Sequence, residues 1–387
     1  MEPMSEPAKQ YESFVETPMF FRARSFIVAS LLVTSVVGAQ NSTQPLNSSK
    51  IFFNDWIAQS RIVVAGTDFN SLLYQTAKGT GYDGVAALFI ERPDGNFICS
   101  GSLLAGGWSV LTAAHCLSDA SGKEIATKVT TVFFPPGQPA ATREIIVSAG
   151  LYVNPQYTGQ TVDAHDVAIV SLSSAPSPDV MASAYNLFAG NPFGQVGQLV
   201  GSGETGTGAS GAVANSSGFF LSNRHRALNT VDFSWTDALF GGFFVNNKTF
   251  GTADIYGLVA DFDSGLPAND ATCIITSLFV LGGAHCGLGQ GVNEGILGGG
   301  DSGGPLFING QIAGVAAYGV SFGINVGDID NKLNSSFGEF SGWTSTDYNK
   351  TWISQYATLT PEPTSFALVG AGLLGVIGFV TRRAKRH

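Results

Sequence analysis

The sequence predicts an all-β fold, either a barrel or a sandwich, built from many short strands. Its apolar runs are short and end at Gly, Pro or Asp, as at residues 85–90 and 311–317. Forty-nine of the 387 residues are glycine, which suits tight turns, and a helical period is weak outside the C-terminal end. With 44% hydrophobic and only 12% charged residues, the chain can bury a substantial core.

The N-terminal region predicts export. Arg22 and Arg24 precede an apolar run at residues 25–37, and small residues follow it as far as Ala39. A basic region, a short apolar core and small residues at the cut are typical of a secretory signal peptide. We therefore assign residues 1–39 to the signal region, with Met19 as an alternative start because residues 1–18 are polar and acidic. The polar residues 40–61 are interpreted as a leader or propeptide.

The charge pattern argues against a nucleic-acid partner. The formal net charge is −10, and no basic stripe interrupts the region between the two ends of the chain. We expect a protein or peptide ligand instead.

The most informative motif is the serine loop at residues 299–306. It places Ser302 after Asp301 and before two glycines, with further glycines upstream. Glycine permits a tight turn whose amide hydrogens point outward. A hydroxyl beside converging N–H groups is what acyl transfer needs, because the nucleophile then lies next to donors for the developing oxyanion.

Two upstream motifs supply partners for this serine. His115 follows a predicted strand at residues 108–112, and Asp166 opens an apolar run at residues 166–172. A hydroxyl nucleophile needs a base, and the base needs an anion that fixes its tautomer and stabilises its cation. His115, Asp166 and Ser302 provide these parts in that chain order.

Together these three motifs resemble those of trypsin- and chymotrypsin-like serine proteases, over residues 62–357. The resemblance implies two six-stranded antiparallel β-barrels with the active site between them, and a short C-terminal helix. It also implies that His115 is the general base and then acid, Asp166 its orienting partner and Ser302 the nucleophile of an endopeptidase. The N–H groups of Gly300 and Ser302 would form the oxyanion hole.

Further positions follow from the same resemblance. The base of the family's specificity pocket lies six positions before the serine, at Ile296, and Gly319 stands in the pocket wall. Isoleucine in place of an acid predicts a preference for apolar rather than basic residues before the cut. Cleavage before Ile62 would free an ammonium group that pairs with Asp301 and orders the oxyanion loop.

Four cysteines in an exported chain predict two disulfides, for which three pairings exist. The resemblance implies the pairs Cys99–Cys116 and Cys273–Cys286. A Cys/His zinc site is the alternative, because residues 114–116 and 284–286 repeat the same tripeptide, which also makes His285 a rival base. Without Cys-x-x-Cys spacing we predict no metal and no cofactor. We interpret three further acids as solvated loop residues rather than calcium ligands: Asp261, Asp263 and Asp270.

The C-terminal region, residues 361–387, has three parts. Pro361-Glu362-Pro363 precedes the uncharged stretch 364–380, predicted as a transmembrane helix, and a basic cluster follows. This arrangement resembles the PEP-CTERM sorting signal of bacteria, which implies an exosortase-type processing enzyme as partner. We expect transient insertion in the inner membrane, followed by cell-surface display or secretion. A plain tail anchor and a GPI signal are the alternatives.

Two other functions compete with an exported endopeptidase. Asp166 and Ser302 lie 136 positions apart, farther than is usual in the family, because of an insertion around residues 201–270. That insertion is interpreted as an added hairpin, a lid or a surface loop. A catalytically silent surface-binding or scaffold protein with the same fold is the first alternative. An esterase of the α/β-hydrolase type is disfavoured, because its triad follows the order Ser, acid, His.

Overall fold

The computed structural model describes residues 62–134, 143–213 and 224–357. The predicted signal region, the leader up to Arg61 and the sorting region with its predicted membrane helix at 364–380 lie outside these ranges. Within the described ranges, no helix combines the length and the apolar character needed to cross a bilayer.

Strands dominate both halves of the described chain, and the helices are short. The strands of the first half are β1 (Val63–Val64), β2 (Val85–Arg92), β3 (Gly95–Leu103), β4 (Ser109–Thr112), β5 (Lys128–Phe133), β6 (Glu144–Val153) and β7 (Ala168–Leu172). Those of the second half are β8 (Val196–Gly201), β9 (Gly206–Thr207), β10 (Gly211–Ala212), β11 (His225–Thr230), β12 (Leu258–Asp261), β13 (Gly295–Ile296), β14 (Pro305–Ile308), β15 (Gln311–Val320) and β16 (Phe340–Ser345). The α-helices are α1 (Ala114–Leu117), α2 (Pro178–Met181), α3 (Phe243–Asn246), α4 (Ala271–Ser277) and α5 (Lys350–Tyr356). Four 3₁₀ turns are described, at Leu72–Tyr74, Ala238–Phe240, Gly291–Asn293 and Ile324–Val326.

The first half forms a closed six-stranded barrel in the order β2-β3-β4-β7-β6-β5. Every neighbouring pair around it is antiparallel. Its interior is apolar, with Leu88, Ile90 and Val110 fully buried. Closure leaves no unpaired edge, so each strand can be short and still satisfy its backbone groups.

The second half is a six-stranded antiparallel sheet in the order β11-β8-β14-β15-β16-β12. The chain beyond β11 meets the edge strand β12 through one isolated bridge, between Phe233 and Val259. The predicted trypsin-like fold is confirmed, with the first barrel fully closed and the second half forming a half-barrel. A short helix, α5, ends the described chain, as expected.

The two halves pack against each other directly. Val200, Phe307 and Val315 from the second sheet belong to the same apolar cluster as the interior of the first barrel. A separate four-stranded sheet, in the order β10-β9-β1-β13, joins the start of the described chain to the second half. In this sheet Val63 pairs with Ile296. These contacts bring residues that are distant in sequence to one cleft region.

The Phe/Gly-rich part of the predicted insertion is core, not a surface loop or a lid. Trp235, Phe240 and Phe244 are at most 2% exposed and pack with Phe340 of β16. The indole N–H of Trp235 donates a 3.0 Å hydrogen bond to the hydroxyl of Tyr318 on β15. Burial of a large apolar side chain contributes roughly 1.5–3 kcal/mol each, so this segment stabilises the second sheet from one side.

Candidate active site

Strand pairing brings the histidine and the aspartate together. β4 pairs with β7 so that Thr112 lies opposite Ala168. His115 follows β4 on helix α1, and Asp166 directly precedes β7. The two side chains therefore emerge at the same end of the barrel, and both residues are buried.

Asp166 contacts His115 at two points. Its Oδ2 lies 2.7 Å from His115 Nδ1, and its Oδ1 accepts a 2.8 Å hydrogen bond from the His115 backbone N–H. A carboxylate at Nδ1 favours a proton on that nitrogen and leaves Nε2 as an acceptor. His115 Nε2 is buried and has no hydrogen-bond partner among the described residues. The imidazole is thus oriented so that its Nε2 nitrogen is free to accept a proton.

The serine loop is anchored on the first barrel. The Ser100 N–H of β3 donates a 2.7 Å hydrogen bond to the carbonyl oxygen of Ser302. Gly303 has a positive φ of 81°, and a methyl group there would overlap Thr112 Oγ1 and the Ser100 carbonyl oxygen. Only glycine fits so close an approach. The loop thereby brings half-buried Ser302 beside the segment that carries His115.

Two carbonyl contacts orient the predicted oxyanion donors. The Glu204 N–H donates to the Gly299 carbonyl oxygen at 2.6 Å, and the Gly304 N–H donates to that of Asp301 at 2.7 Å. Because a trans peptide is planar, fixing these oxygens directs the N–H groups of Gly300 and Ser302 the opposite way. Neither N–H donates to a protein acceptor within the described ranges. Both are therefore available to an oxyanion.

Asp301 is buried without a cationic partner in the described structure. Its two carboxylate oxygens accept hydrogen bonds from Gly203 N–H at 2.6 Å and Gly298 N–H at 2.9 Å. Burial raises the pKa of Asp301 to about 7, although these two donors lower it in part. Ile62 is also buried, and its nitrogen is a peptide amide in the intact chain. The predicted activation pair is therefore not joined by an ion pair here.

The two predicted pocket residues have different surroundings. Ile296 is 1% exposed and packs with Val63 and Phe262. Gly319 is open: a methyl group there would meet only Leu333 Cδ1 at 3.6 Å and the Phe340 carbonyl oxygen at 3.7 Å. Ile296 thus lies in an apolar cluster, whereas Gly319 lies beside one apolar side chain and one carbonyl oxygen.

All four cysteines are in disulfides, which join Cys99 to Cys116 and Cys273 to Cys286. These are the pairings that the resemblance implied. Bonded sulfurs offer no thiolate, so the Cys/His groups do not fit a zinc site. His285 is exposed in the second disulfide loop, with its ring 6.1 Å from that of Phe233. It does not join the Asp166 site.

Sequence reasoning missed Ser100. Its side chain is fully buried, and its hydroxyl donates to the Gly300 carbonyl oxygen at 3.1 Å while accepting from Ser202 N–H at 3.0 Å. It links β3, the serine loop and the turn after β8. A serine inside a mainly apolar strand gives no sequence signal of this role, because the partners lie far along the chain.

Comparison with known proteins matches two parts of this chain to described families. Residues 75–226 match the Trypsin family, a range that contains His115 and Asp166 and ends before Ser302. The chain is 26% identical over 276 residues to brachyurin of Leptuca pugilator, covering 71% of this chain and 93% of that protein. It is also similar to a solved HL collagenase structure at 17% identity and a TM-score of 0.45, covering 74% of this chain and 98% of that one.

Residues 359–383 match the PEP-CTERM protein-sorting motif. The Trypsin-family match and the similarity to brachyurin both support a serine endopeptidase, a hydrolase of the trypsin-like class. Its substrates are proteins, and its sorting motif marks it as an exported, cell-surface protein that an exosortase processes.

Proposed function

We propose that His115, Asp166 and Ser302 form the catalytic triad of this protease, with an acyl-enzyme intermediate on Ser302. The observation that carries this proposal is the two-point contact of Asp166 with His115, which leaves Nε2 free as the base. A base held by a buried carboxylate and a serine on a glycine loop are the parts that acyl transfer requires.

The steps follow from these roles. Ser302 Oγ attacks the scissile carbonyl carbon while its proton passes to His115 Nε2. The carbonyl oxygen becomes an oxyanion that accepts hydrogen bonds from the Gly300 and Ser302 N–H groups, each such donor contributing roughly 10²–10³ in rate. The imidazolium, stabilised by Asp166, then protonates the leaving amine. Water repeats the sequence on the acyl-enzyme, so the acid product leaves and Ser302 regains its proton.

We further propose a preference for an apolar residue before the cut. No acid stands at position 296, and the nearest atoms to a methyl group at Gly319 would be Leu333 Cδ1 and the Phe340 carbonyl oxygen, neither of which carries a charge. A Lys or Arg side chain would lose its water there without gaining a counter-charge. Profiling with a peptide library tests this preference, and dominant cleavage after Lys or Arg would contradict it.

The ends of the chain extend the proposal to maturation. Cleavage after Arg61 would free the Ile62 ammonium group, the partner that buried Asp301 lacks in the intact chain. The signal region would direct export, and the helix at 364–380 would hold the protein transiently in the inner membrane until the exosortase acts. Intact-mass measurement of the released protein tests the last step, since a retained C-terminal region would indicate a plain anchor.

A fluorophosphonate probe tests the triad itself. The chain beginning at Ile62 should be labelled, whereas Ser302→Ala and His115→Ala should not. Ser354→Ala, which removes an exposed serine hydroxyl on α5, is the matched control and should be labelled like the parent. An unlabelled parent would favour the catalytically silent binding protein instead.

A further inference from the structure

Five carboxylates lie buried together in the second half, away from the triad. They come from the ends of separate elements: Asp232 after β11, Asp261 at the end of β12, Asp263, Asp270 at the start of α4 and Glu294 before β13. Each is between 1% and 8% exposed. The expectation of solvated loop acids is therefore wrong. No ion pair of the described residues joins any of the five to a cationic side chain.

The geometry of three of them suits one metal ion. Asp261, Asp263 and Asp270 each present a carboxylate oxygen, and the three oxygens lie within 4.8 Å of one another. Calcium binds oxygen ligands at about 2.3–2.6 Å, so two ligands of one ion are at most about 5 Å apart. The separations are compatible with a shared ion.

Backbone donors hold several of these carboxylates in place. Asp270 accepts hydrogen bonds from Cys273 N–H at 2.8 Å and Gly287 N–H at 3.1 Å. Asp261 Oδ2 accepts from Thr272 N–H at 2.7 Å. Carboxylates oriented in this way need little rearrangement to bind a ligand.

Asp263 supplies the independent observation that points to a ligand. Asp263 is only 5% exposed, and its Oδ1 atom is buried with no hydrogen-bond partner within the described ranges. Burial of a carboxylate oxygen without a hydrogen-bond donor costs free energy. The Asp263 carboxylate is one of the three that converge.

The buried carboxylates also lack a compensating positive charge. Within the described ranges none of the five forms an ion pair with a Lys, Arg or His side chain. A divalent cation among these groups would compensate the repulsion between ionised carboxylates.

We propose that Asp261, Asp263 and Asp270 bind a calcium ion, with Glu294 adding negative charge beside them. An all-oxygen set of carboxylates is typical of hard cations, and calcium tolerates irregular protein cages better than magnesium, which retains its waters. The ion links β12, helix α4 and the disulfide loop that ends at Cys286. Glu294, which directly precedes β13, also contacts the start of the described chain, because its carbonyl oxygen accepts a 2.9 Å hydrogen bond from Ala65 N–H.

The test uses the exported chain carrying Ser302→Ala, so that self-cleavage cannot alter the result. After treatment with a chelator, calcium is added in a calorimetric titration and in a thermal-unfolding series. We expect one calcium per chain and a rise in Tm of about 5 °C at 100 times the Kd. Magnesium at equal concentration should give a much smaller rise.

Variants assign the ligands. Asp263→Asn and Asp261→Asn should each weaken calcium binding at least about 100-fold and remove the Tm shift. Asp179→Asn, an exposed acid on α2, should bind and respond like the parent. Glu294→Gln provides a further variant if an aspartate variant does not fold.

Three results would overturn the proposal. One is a parent protein with no heat of binding and no Tm shift up to about 10 mM calcium, above the Kd of weak extracellular sites. Another is an Asp263→Asn protein that keeps the parent's affinity. The third is an equal response to magnesium, which would indicate general screening of the acids.

Discussion

Asp166 holds His115 through both the imidazole and the backbone, with contacts of 2.7 Å at Nδ1 and 2.8 Å at the amide nitrogen. The second contact holds the main chain of α1 against the carboxylate, so the ring can leave Asp166 only by rotation of its own side chain. A variant can therefore keep the orientation of His115 while it changes the tautomer of the ring, so the two effects can be tested separately.

Asp166→Asn should keep the orientation and change the tautomer. The Asn oxygen can still accept from the His115 N–H, while its NH₂ group would donate to Nδ1 and force the proton onto Nε2. We expect kcat to fall by about 10⁴ with little change in Tm. Steady-state kinetics on a peptide substrate measure kcat, and thermal unfolding measures Tm. Asp179→Asn serves as the control, and an Asp166→Asn enzyme that retained more than a tenth of kcat would contradict the assigned role.

Ser100 should act as a positioning residue for the oxyanion loop. Ser100→Ala removes the 3.1 Å hydrogen bond to the Gly300 carbonyl oxygen and leaves the buried Ser202 N–H without its acceptor. A net loss of about 1 kcal/mol corresponds to a roughly 5-fold lower kcat, with KM nearly unchanged because the ground state makes less use of the oxyanion donors.

Ser102→Ala is the matched control for that variant. Ser102 lies on the same strand, is 1% exposed and has a hydroxyl with no hydrogen-bond partner among the described residues. Its removal should leave kcat unchanged. Equal kcat losses in the two variants, or a change confined to KM for Ser100→Ala, would show that Ser100 is merely part of the core.

The sequence was sufficient for features that are local or that span neighbouring motifs. The histidine, aspartate and serine motifs each lie within a few residues, and the family resemblance that they carry implied the two-barrel fold. The sequence could not show that the aromatic segment around Trp235 and Phe244 belongs to the core, because apolar residues between glycines also occur in surface loops. Nor could it show the burial of Asp232, Asp261 and Glu294, since three separate segments must fold before these acids meet.

Ile296 shows the same limit in the candidate pocket. Position 296 was predicted as the base of the pocket, and the structure packs it with Val63 and Phe262. We therefore expect Ile296→Asp to bury an unpaired charge and to destabilise the fold by about 3 kcal/mol or more, without creating cleavage after Arg. Ile296→Val should cost about 1 kcal/mol. Denaturant unfolding measures both. A stable Ile296→Asp enzyme that cleaves after Arg would show that the side chain faces the substrate.

Asp301 predicts a pH-dependent difference between the intact and the processed chain. In the intact chain its pKa is raised to about 7 by burial, so the folded state holds this proton more tightly than the unfolded state. The intact protein therefore loses stability as the pH rises from about 4 to 7, by up to about 4 kcal/mol for this group. In the processed chain the Ile62 ammonium would pair with the carboxylate and remove that loss.

The comparison needs two forms of the Ser302→Ala protein, one beginning at residue 40 and one at Ile62. Their Tm values should nearly agree at about pH 4, where Asp301 is protonated in the intact chain, and the processed form should be up to about 8 °C more stable at pH 7. The difference should shrink again at alkaline pH, as the ammonium group loses its proton. Since the two forms share all other acids except Asp55, a constant difference across this range would exclude the pairing of Ile62 with Asp301.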